Sequence, residues 1–266
     1  MTTAVIGLGD LGLACALRLR DVGCEVVGVD LSAERRAEWQ QATGRQAADG
    51  LGGLAIDRAL VCVRTTLQAD HVLGELQARG GLAGGMELAA YVVTTLDPAF
   101  ARRLAAYGRD GFRVIELPVS GGRAAARAGE LTVLIGGDQA AAGDVEFVER
   151  TLARRTFTFP RFGEATIAKL LNNTAAAYNA AAFATCLALA GRVGLPADVC
   201  AEVIRVSSGG SWVADNFEAL IGDLLAKDAG LLAAEAGRLP AVELSDPAQL
   251  LATLAQGVRF LADRHE

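Results

Sequence analysis

At 266 residues the chain exceeds a typical single domain and can bury a large core, which predicts one full-sized domain joined to a second one. A net charge of −6 provides no basic face for a phosphate backbone, which argues against nucleic acid and for a small metabolite as partner. Cys15, Cys24, Cys62, Cys186 and Cys200 lack CxxC spacing, which argues against a zinc site or a disulfide framework.

The opening Thr2-Thr3-Ala4-Val5-Ile6-Gly7 lacks a basic n-region and a cleavage site, so a cytoplasmic chain with reduced thiols is expected. Hydrophobic residues make up 52% and aromatics only 5%, so Ala, Val and Leu must fill the core, a mix suited to helices on a parallel sheet. Residues 4–8 read as a buried strand, followed by a Gly-rich turn and a helix over 11–22 with apolar positions Leu13, Ala16, Leu17 and Leu19, closed by Gly23. A second strand is expected over 25–29, a charged helix from Ser32 to Gln41, and further strands over 59–63 and 91–93. The last strands of this half are expected over 112–116 and 131–135, separated by a loop with Pro118, Gly121 and Gly122.

This alternation predicts right-handed crossovers and a doubly wound sheet. Beyond Phe162 the pattern becomes helical, over 164–192, 197–206 and several Ala/Leu-rich pieces, so the division expected is 1–162 and 163–266, joined through one long helix. Residues 170–191 carry no charge and could span a bilayer by length, but Asn172, Asn173, Asn179 and abundant Ala weaken insertion. A buried helix of a soluble protein, with no membrane partner, is the expectation.

Gly7-Leu8-Gly9-Asp10-Leu11-Gly12 has G-x-G-x-x-G spacing, follows a strand and opens a helix, which is the context of a dinucleotide fingerprint. Gly7 allows the tight turn, Gly9 lets a pyrophosphate approach the backbone, and Gly12 permits close packing of helix on strand. Asp30, at the end of the second strand, can accept hydrogen bonds from both ribose hydroxyls and repel a 2′-phosphate, favouring NAD over NADP. Arg35 and Arg36 leave NADP open: one of them could fold over the ribose, or both could be solvated on a helix face.

Carbonyl chemistry at a nicotinamide needs a group that gives or takes a proton. The two histidines, His71 and His265, are poorly placed, no Tyr is followed by Lys four residues on, and zinc ligands are lacking. Lys169 and Lys227 remain, because arginine stays protonated. Asn173 lies at i+4 from Lys169 on one helix face, so a cleft could receive ammonium and amide together. Desolvation would lower the lysine pKa toward working pH, although spacing alone favours a solvated helix lysine.

These segments, with Thr94-Thr95-Leu96-Asp97-Pro98, Leu117-Pro118-Val119-Ser120-Gly121-Gly122, Lys169-Leu170-Leu171-Asn172-Asn173, Ser211-Trp212 with Asn216, and Lys227-Asp228, resemble the β-hydroxyacid dehydrogenase family nearly end to end. That family includes 3-hydroxyisobutyrate, tartronate semialdehyde, L-threonate and 6-phosphogluconate dehydrogenases. The resemblance implies a Rossmann-type domain with an all-α C-terminal domain, and an NAD- or NADP-dependent enzyme interconverting a small 3-hydroxy acid and its semialdehyde or keto form. It implies Lys169 as general acid/base with Asn173 beside it, and Ser120, Gly121, Gly122 and Asp228 around a carboxylate substrate. Cofactor contacts are expected at Gly7, Leu8, Gly9, Asp10, Leu11, Gly12, Asp30, Leu31, Val63, Arg64, Thr95 and Lys227, with no metal. Arg64-Thr65 departs from the family's apolar residue and Pro or Asn, the stretch from Asn216 to Lys227 is shorter than usual, and 239–266 shows no recognisable family pattern, which leaves the substrate open.

The same scaffold could reduce an imine or a simple aldehyde, or serve as a non-catalytic dinucleotide sensor. The apolar helix after Lys169 exceeds the needs of one small domain, so a homodimer or larger homo-oligomer through the helical half is expected.

Overall fold

A computed structural model describes residues 1–79, 87–220, 222–242 and 246–262. Five strands, β1 (Thr2–Ile6), β2 (Glu25–Val29), β3 (Arg58–Val61), β4 (Leu88–Val92) and β5 (Phe112–Glu116), pair in parallel in the order β2-β1-β3-β4-β5. They are connected by α1 (Asp10–Asp21), α2 (Ala33–Thr43), α3 (Thr66–Arg79) and the short α4 (Pro98–Ala101). The chain leaves β1 for β2 on one side and returns to β3 on the other, so the crevice above the β1 end is a topological switch point.

The doubly wound expectation holds across β1–β5 and changes beyond them. β6 (Val119–Ser120) and β7 (Leu131–Gly136) follow, with β7 antiparallel to both β5 and β6 and α5 (Gly122–Ala128) between them. After α6 (Ala142–Thr151) an eighth strand, β8 (Ala153–Phe159), adds in parallel to β7. This corrects the expectation that 131–135 ends the strands: β8 is Arg- and Thr-rich and mostly exposed, so it carries no alternating apolar pattern. β1 stops at Ile6 rather than residue 8 because Gly7 turns to φ 93°, a conformation that ends the ladder.

Alternating side chains fill two apolar layers. Val5, Leu60 and Tyr91 pack with Ala16 and Leu19 of α1 and Val148 of α6, while Ile6, Val61 and Val92 pack with Leu73 and Leu76 of α3 and with Phe100 and Leu104. Burying each such Leu or Val stabilises the fold by about 1.5–3 kcal/mol.

The helical half comprises α7 (Glu164–Arg192), α8 (Ala197–Val206), α9 (Trp212–Asp215), α10 (Gly222–Ala236) and α11 (Pro247–Ala262). Its core cluster is small, built on Phe183, Ala201 and Ala214 with Leu187, Ile204 and Phe217 against them. α7 is long and apolar enough to cross a membrane, yet only 17% of its most apolar stretch is buried within the chain. The expectation of a buried helix therefore holds for the first turns, including Ala165, Lys169, Leu170 and Asn173, while from residue 175 onward only Phe183 and Ala190 are buried.

Candidate active site

The Gly-rich turn is shaped by crowding on one side and openness on the other. A Cβ on Gly7 would meet the Cys62 carbonyl oxygen at 2.6 Å and one on Gly12 would meet the Gly7 oxygen at 1.9 Å, so α1 rests directly on the turn and on the end of β3. A Cβ on Gly9, in contrast, would meet nothing within 4 Å. Gly9 caps α1 without a side-chain hydrogen bond, leaving first-turn N–H groups free to receive a phosphate. The bare turn, the uncapped helix and a cleft of about 1340 Å³ that includes Gly7, Gly9, Asp30, Leu31, Val63 and Arg64 fit a dinucleotide.

Asp30 is held rigidly: Oδ2 accepts from the Leu8 amide at 2.7 Å and Oδ1 from the Ser32 amide at 2.8 Å. Each oxygen keeps a further lone pair for a ribose hydroxyl. Arg36 folds back and donates to the Asp30 and Leu31 carbonyls, both at 2.8 Å, so it is not a purely solvated residue. Arg35 pairs with Glu38 at 2.8 Å and lies 4.0 Å from Asp10 at the cleft wall. Leu8 buries its side chain in the core and can meet a ligand only through its backbone, whereas the Leu31 side chain is exposed.

A second cluster forms where α7 crosses the sheet half. Lys169 Nζ donates to Ser120 Oγ at 2.8 Å, and Asn172 Nδ2 approaches the same oxygen at 3.4 Å. Asn173 Nδ2 donates to Asp228 Oδ2 at 2.6 Å, and Lys227 Nζ lies 3.0 Å from Asp228 Oδ1. Lys169 and Asn173 are buried, Asp228 wholly so. Burial lowers the Lys169 pKa to about 8, opposed by the nearby Asp228 charge and assisted by Lys227. A lysine in that state exchanges its proton near neutral pH, as acid/base chemistry requires.

Asn172 links these contacts, its Nδ2 lying 3.4 Å from Ser120 Oγ and donating to Asn173 Oδ1 at 3.2 Å, so Lys169, Ser120, Asn172, Asn173, Asp228 and Lys227 form one polar chain drawn from β6, α7 and α10. Gly121 and Gly122, with φ 127° and 66°, turn the backbone beside Ser120. Thr95 follows β4, and Thr94 ties that strand end to the next loop by donating to the Val63 carbonyl at 2.8 Å. Two contributors were not singled out from sequence. Gln68 accepts from the Arg64 and Thr65 amides at 3.0 and 3.1 Å while Thr65 Oγ1 accepts from the Gln68 amide, a capping box whose Thr-x-x-Gln spacing was legible. Glu116 ties β5 to the start of α7 and has no local signature.

Residues 2–159 match the NAD-binding domain of 6-phosphogluconate dehydrogenase, and residues 163–264 match the NAD-binding region of NADP-dependent 3-hydroxyisobutyrate dehydrogenase. An NAD-dependent L-serine dehydrogenase of Pseudomonas aeruginosa is 32% identical over 79% of this chain and 70% of its own length. An L-threonate dehydrogenase of Escherichia coli is 30% identical over 80% of this chain and 71% of its own. The solved 3-hydroxyisobutyrate dehydrogenase of Salmonella typhimurium superimposes with a TM-score of 0.77 at 27% identity, covering 97% of this chain and 95% of that one. With its dinucleotide turn, uncapped α1 and helical second half, the chain belongs to the β-hydroxyacid dehydrogenase family and is an NAD(P)-dependent oxidoreductase.

Proposed function

We propose that the protein interconverts a small 3-hydroxy acid and its semialdehyde or keto form, with Lys169 as the proton donor and acceptor. The observation that carries this reading is the buried Lys169 ammonium, 2.8 Å from Ser120 Oγ and with a pKa of about 8. A dinucleotide held by the Gly7–Gly12 turn would supply the hydride chemistry. In the oxidative direction neutral Lys169 removes the hydroxyl proton, and in the reductive direction its ammonium returns one to the carbonyl oxygen. Ser120 Oγ already accepts from Lys169 and Asn172, so its own O–H remains to donate to a substrate carboxylate beside Gly121 and Gly122. Asn173 orients the hydroxyl, held by Asp228, while Lys227 closes the cleft from α10.

In the same reading Asp30 makes NAD the preferred cofactor, the working parts divide at 162/163 with α7 as the connection, and the five unpaired cysteines suit a reducing cytoplasm. The exposed apolar face of the helical half, with Leu189, Val203 and Val258, is covered by a second copy of the chain. Light scattering at micromolar concentration tests this, and a monomer overturns it.

The functional test is an absorbance screen with NAD and NADP against 3-hydroxy acids, semialdehydes and imines, with Lys169→Ala alongside. Turnover of a hydroxy acid by the parent and its loss in the variant are expected. A variant with full activity overturns the role of Lys169, turnover of imines alone makes the protein an imine reductase, and binding without turnover makes it a sensor.

A further inference from the structure

Glu116 is a buried carboxylate at the end of β5, 1% exposed, and both its oxygens are used across the junction between the two halves. Oε2 accepts from the Gly163 amide at 2.7 Å and Oε1 from the Thr166 amide at 2.6 Å. These are the amides that the start of α7 leaves without a partner, because its N-cap is Gly163, a residue with no side chain to offer. The carboxylate therefore replaces the missing cap from a strand 47 and 50 residues away, where the helix dipole also favours a negative charge.

The position of this contact in the chain matters more than its strength. Glu116 stands four residues before Ser120, and the Thr166 amide it holds stands three residues before Lys169. The Lys169–Ser120 contact is thus closed into a short loop whose other side is the Glu116–α7 bond. With a rise of about 1.5 Å per residue, Lys169 lies only ~4.5 Å along the helix from the anchored amide, so a shift of the helix start passes almost undiminished to Nζ.

The opposite strand makes room for this arrangement. Gly136 on β7 pairs with Glu116, and a Cβ there would meet Glu116 Oε2 at 2.5 Å and the Ala165 Cβ at 2.9 Å. Gly136 has no positive φ, so space rather than backbone conformation explains the glycine. Burial raises the Glu116 pKa while hydrogen bonds from Thr166 and the Gly163 amide oppose the rise.

We propose that Glu116, with Gly136 opposite it, is a positioning residue for the reaction, fixing the register of α7 so that Lys169 meets Ser120. This rests on the reading of Lys169 given above. Displacements of about 1 Å at a reacting group can cost roughly 100-fold in rate.

The test compares Glu116→Gln, which loses one acceptor and the charge, with Gly136→Ala, which keeps the carboxylate and displaces it. With 3-hydroxyisobutyrate, L-serine and L-threonate as probes, kcat is expected to fall about 10- to 100-fold in both variants. The dissociation constant for the dinucleotide should stay within about twofold of the parent, because the Gly7–Gly12 turn is held by other contacts. A kcat within about twofold of the parent, or an equal loss in dinucleotide affinity, overturns the proposal. If Glu116→Gln does not fold, Gly136→Ala carries the comparison. A crystal structure of either variant needs no substrate: separation of Lys169 Nζ from Ser120 Oγ is expected, and an intact contact overturns the proposal. Lys169→Ala run in parallel separates the two readings, since its full activity defeats the lysine role whatever the structures show.

Discussion

Trp39, Tyr91 and Leu60 in the sheet half are fully buried, whereas Val206, Val193 and Val258 in the helical half stand 80%, 79% and 68% exposed. The residue types are alike, so the difference lies in what each half packs against. Every strand of β1–β5 has a helix of the same chain over its faces, and the apolar alternation is satisfied locally. The helices α8 and α10 are amphipathic or apolar but have little more than α7 to lean on, and α11 is exposed at almost every described position, so much of their hydrophobic surface remains open. A half that turns its apolar residues inward forms a self-sufficient scaffold, and a half that turns them outward leaves a surface that the proposed second copy would cover. The polar exceptions in the helical half are Thr166, Lys169, Asn173, Thr174 and Asp228, buried where it meets the sheet.

The largest effect is expected where the two halves meet. Lys169→Met should lower kcat by about 10²–10⁴-fold while leaving dinucleotide binding in place. The same substitution removes a charge from a buried site, and a rise in melting temperature of roughly 2–4 °C, corresponding to about 1 kcal/mol, is expected from calorimetry. An unchanged kcat breaks the division of labour outright. Within the halves, Leu60→Ala should cost about 2–5 kcal/mol in urea unfolding, since it leaves a cavity between β3 and its helices.

The pH dependence comes next in size. Lys169 must be neutral to remove a proton, so kcat/KM for oxidation should rise about tenfold per pH unit and level off near pH 8; reduction needs the ammonium and should fall above it. Initial rates across this range check the sign, and a flat profile in both directions would remove Lys169 from the chemistry. The smallest effect sharpens the comparison most. Val203→Ala, at a 55% exposed position, should change stability by less than about 0.5 kcal/mol if the chain acts alone. A larger loss that grows with protein concentration shows the face covered by a second copy, and Val203→Asp should then shift light scattering toward the monomer.

The sequence displayed what is local. β2 at Glu25–Val29, β5 at Phe112–Glu116 and the helices Glu164–Arg192 and Ala197–Val206 follow from alternation, period and terminal residues, and the glycine spacing announced the nucleotide turn. Ser32, read as a helix start, does cap α2 by accepting from the Arg35 amide. β8 escaped because its exposed Arg and Thr side chains have no buried face to mark, and α5 because Gly121-Gly122 looks like a loop. Within the polar cluster, Lys169 and Asn173 were visible as an i, i+4 pair, but the bond from Asn173 to Asp228 spans 55 residues, and no periodicity encodes it. The capping of α7 by Glu116 is long-range for the same reason, and a lone carboxylate at a strand end gave no hint of its partners.

The two amides that fasten Asp30 bear on any attempt to retune the coenzyme. Swapping this aspartate for a smaller or neutral residue, the obvious route to admitting a phosphorylated ribose, would also unclip Leu8 and Ser32, and with them the hinge between the glycine turn and α2. In the proposed reading, recognition and support share one side chain. Successful redesign would have to supply new acceptors for the Leu8 and Ser32 amides before adding a cation, and libraries that vary position 30 alone should yield mostly weakened binders rather than switched ones.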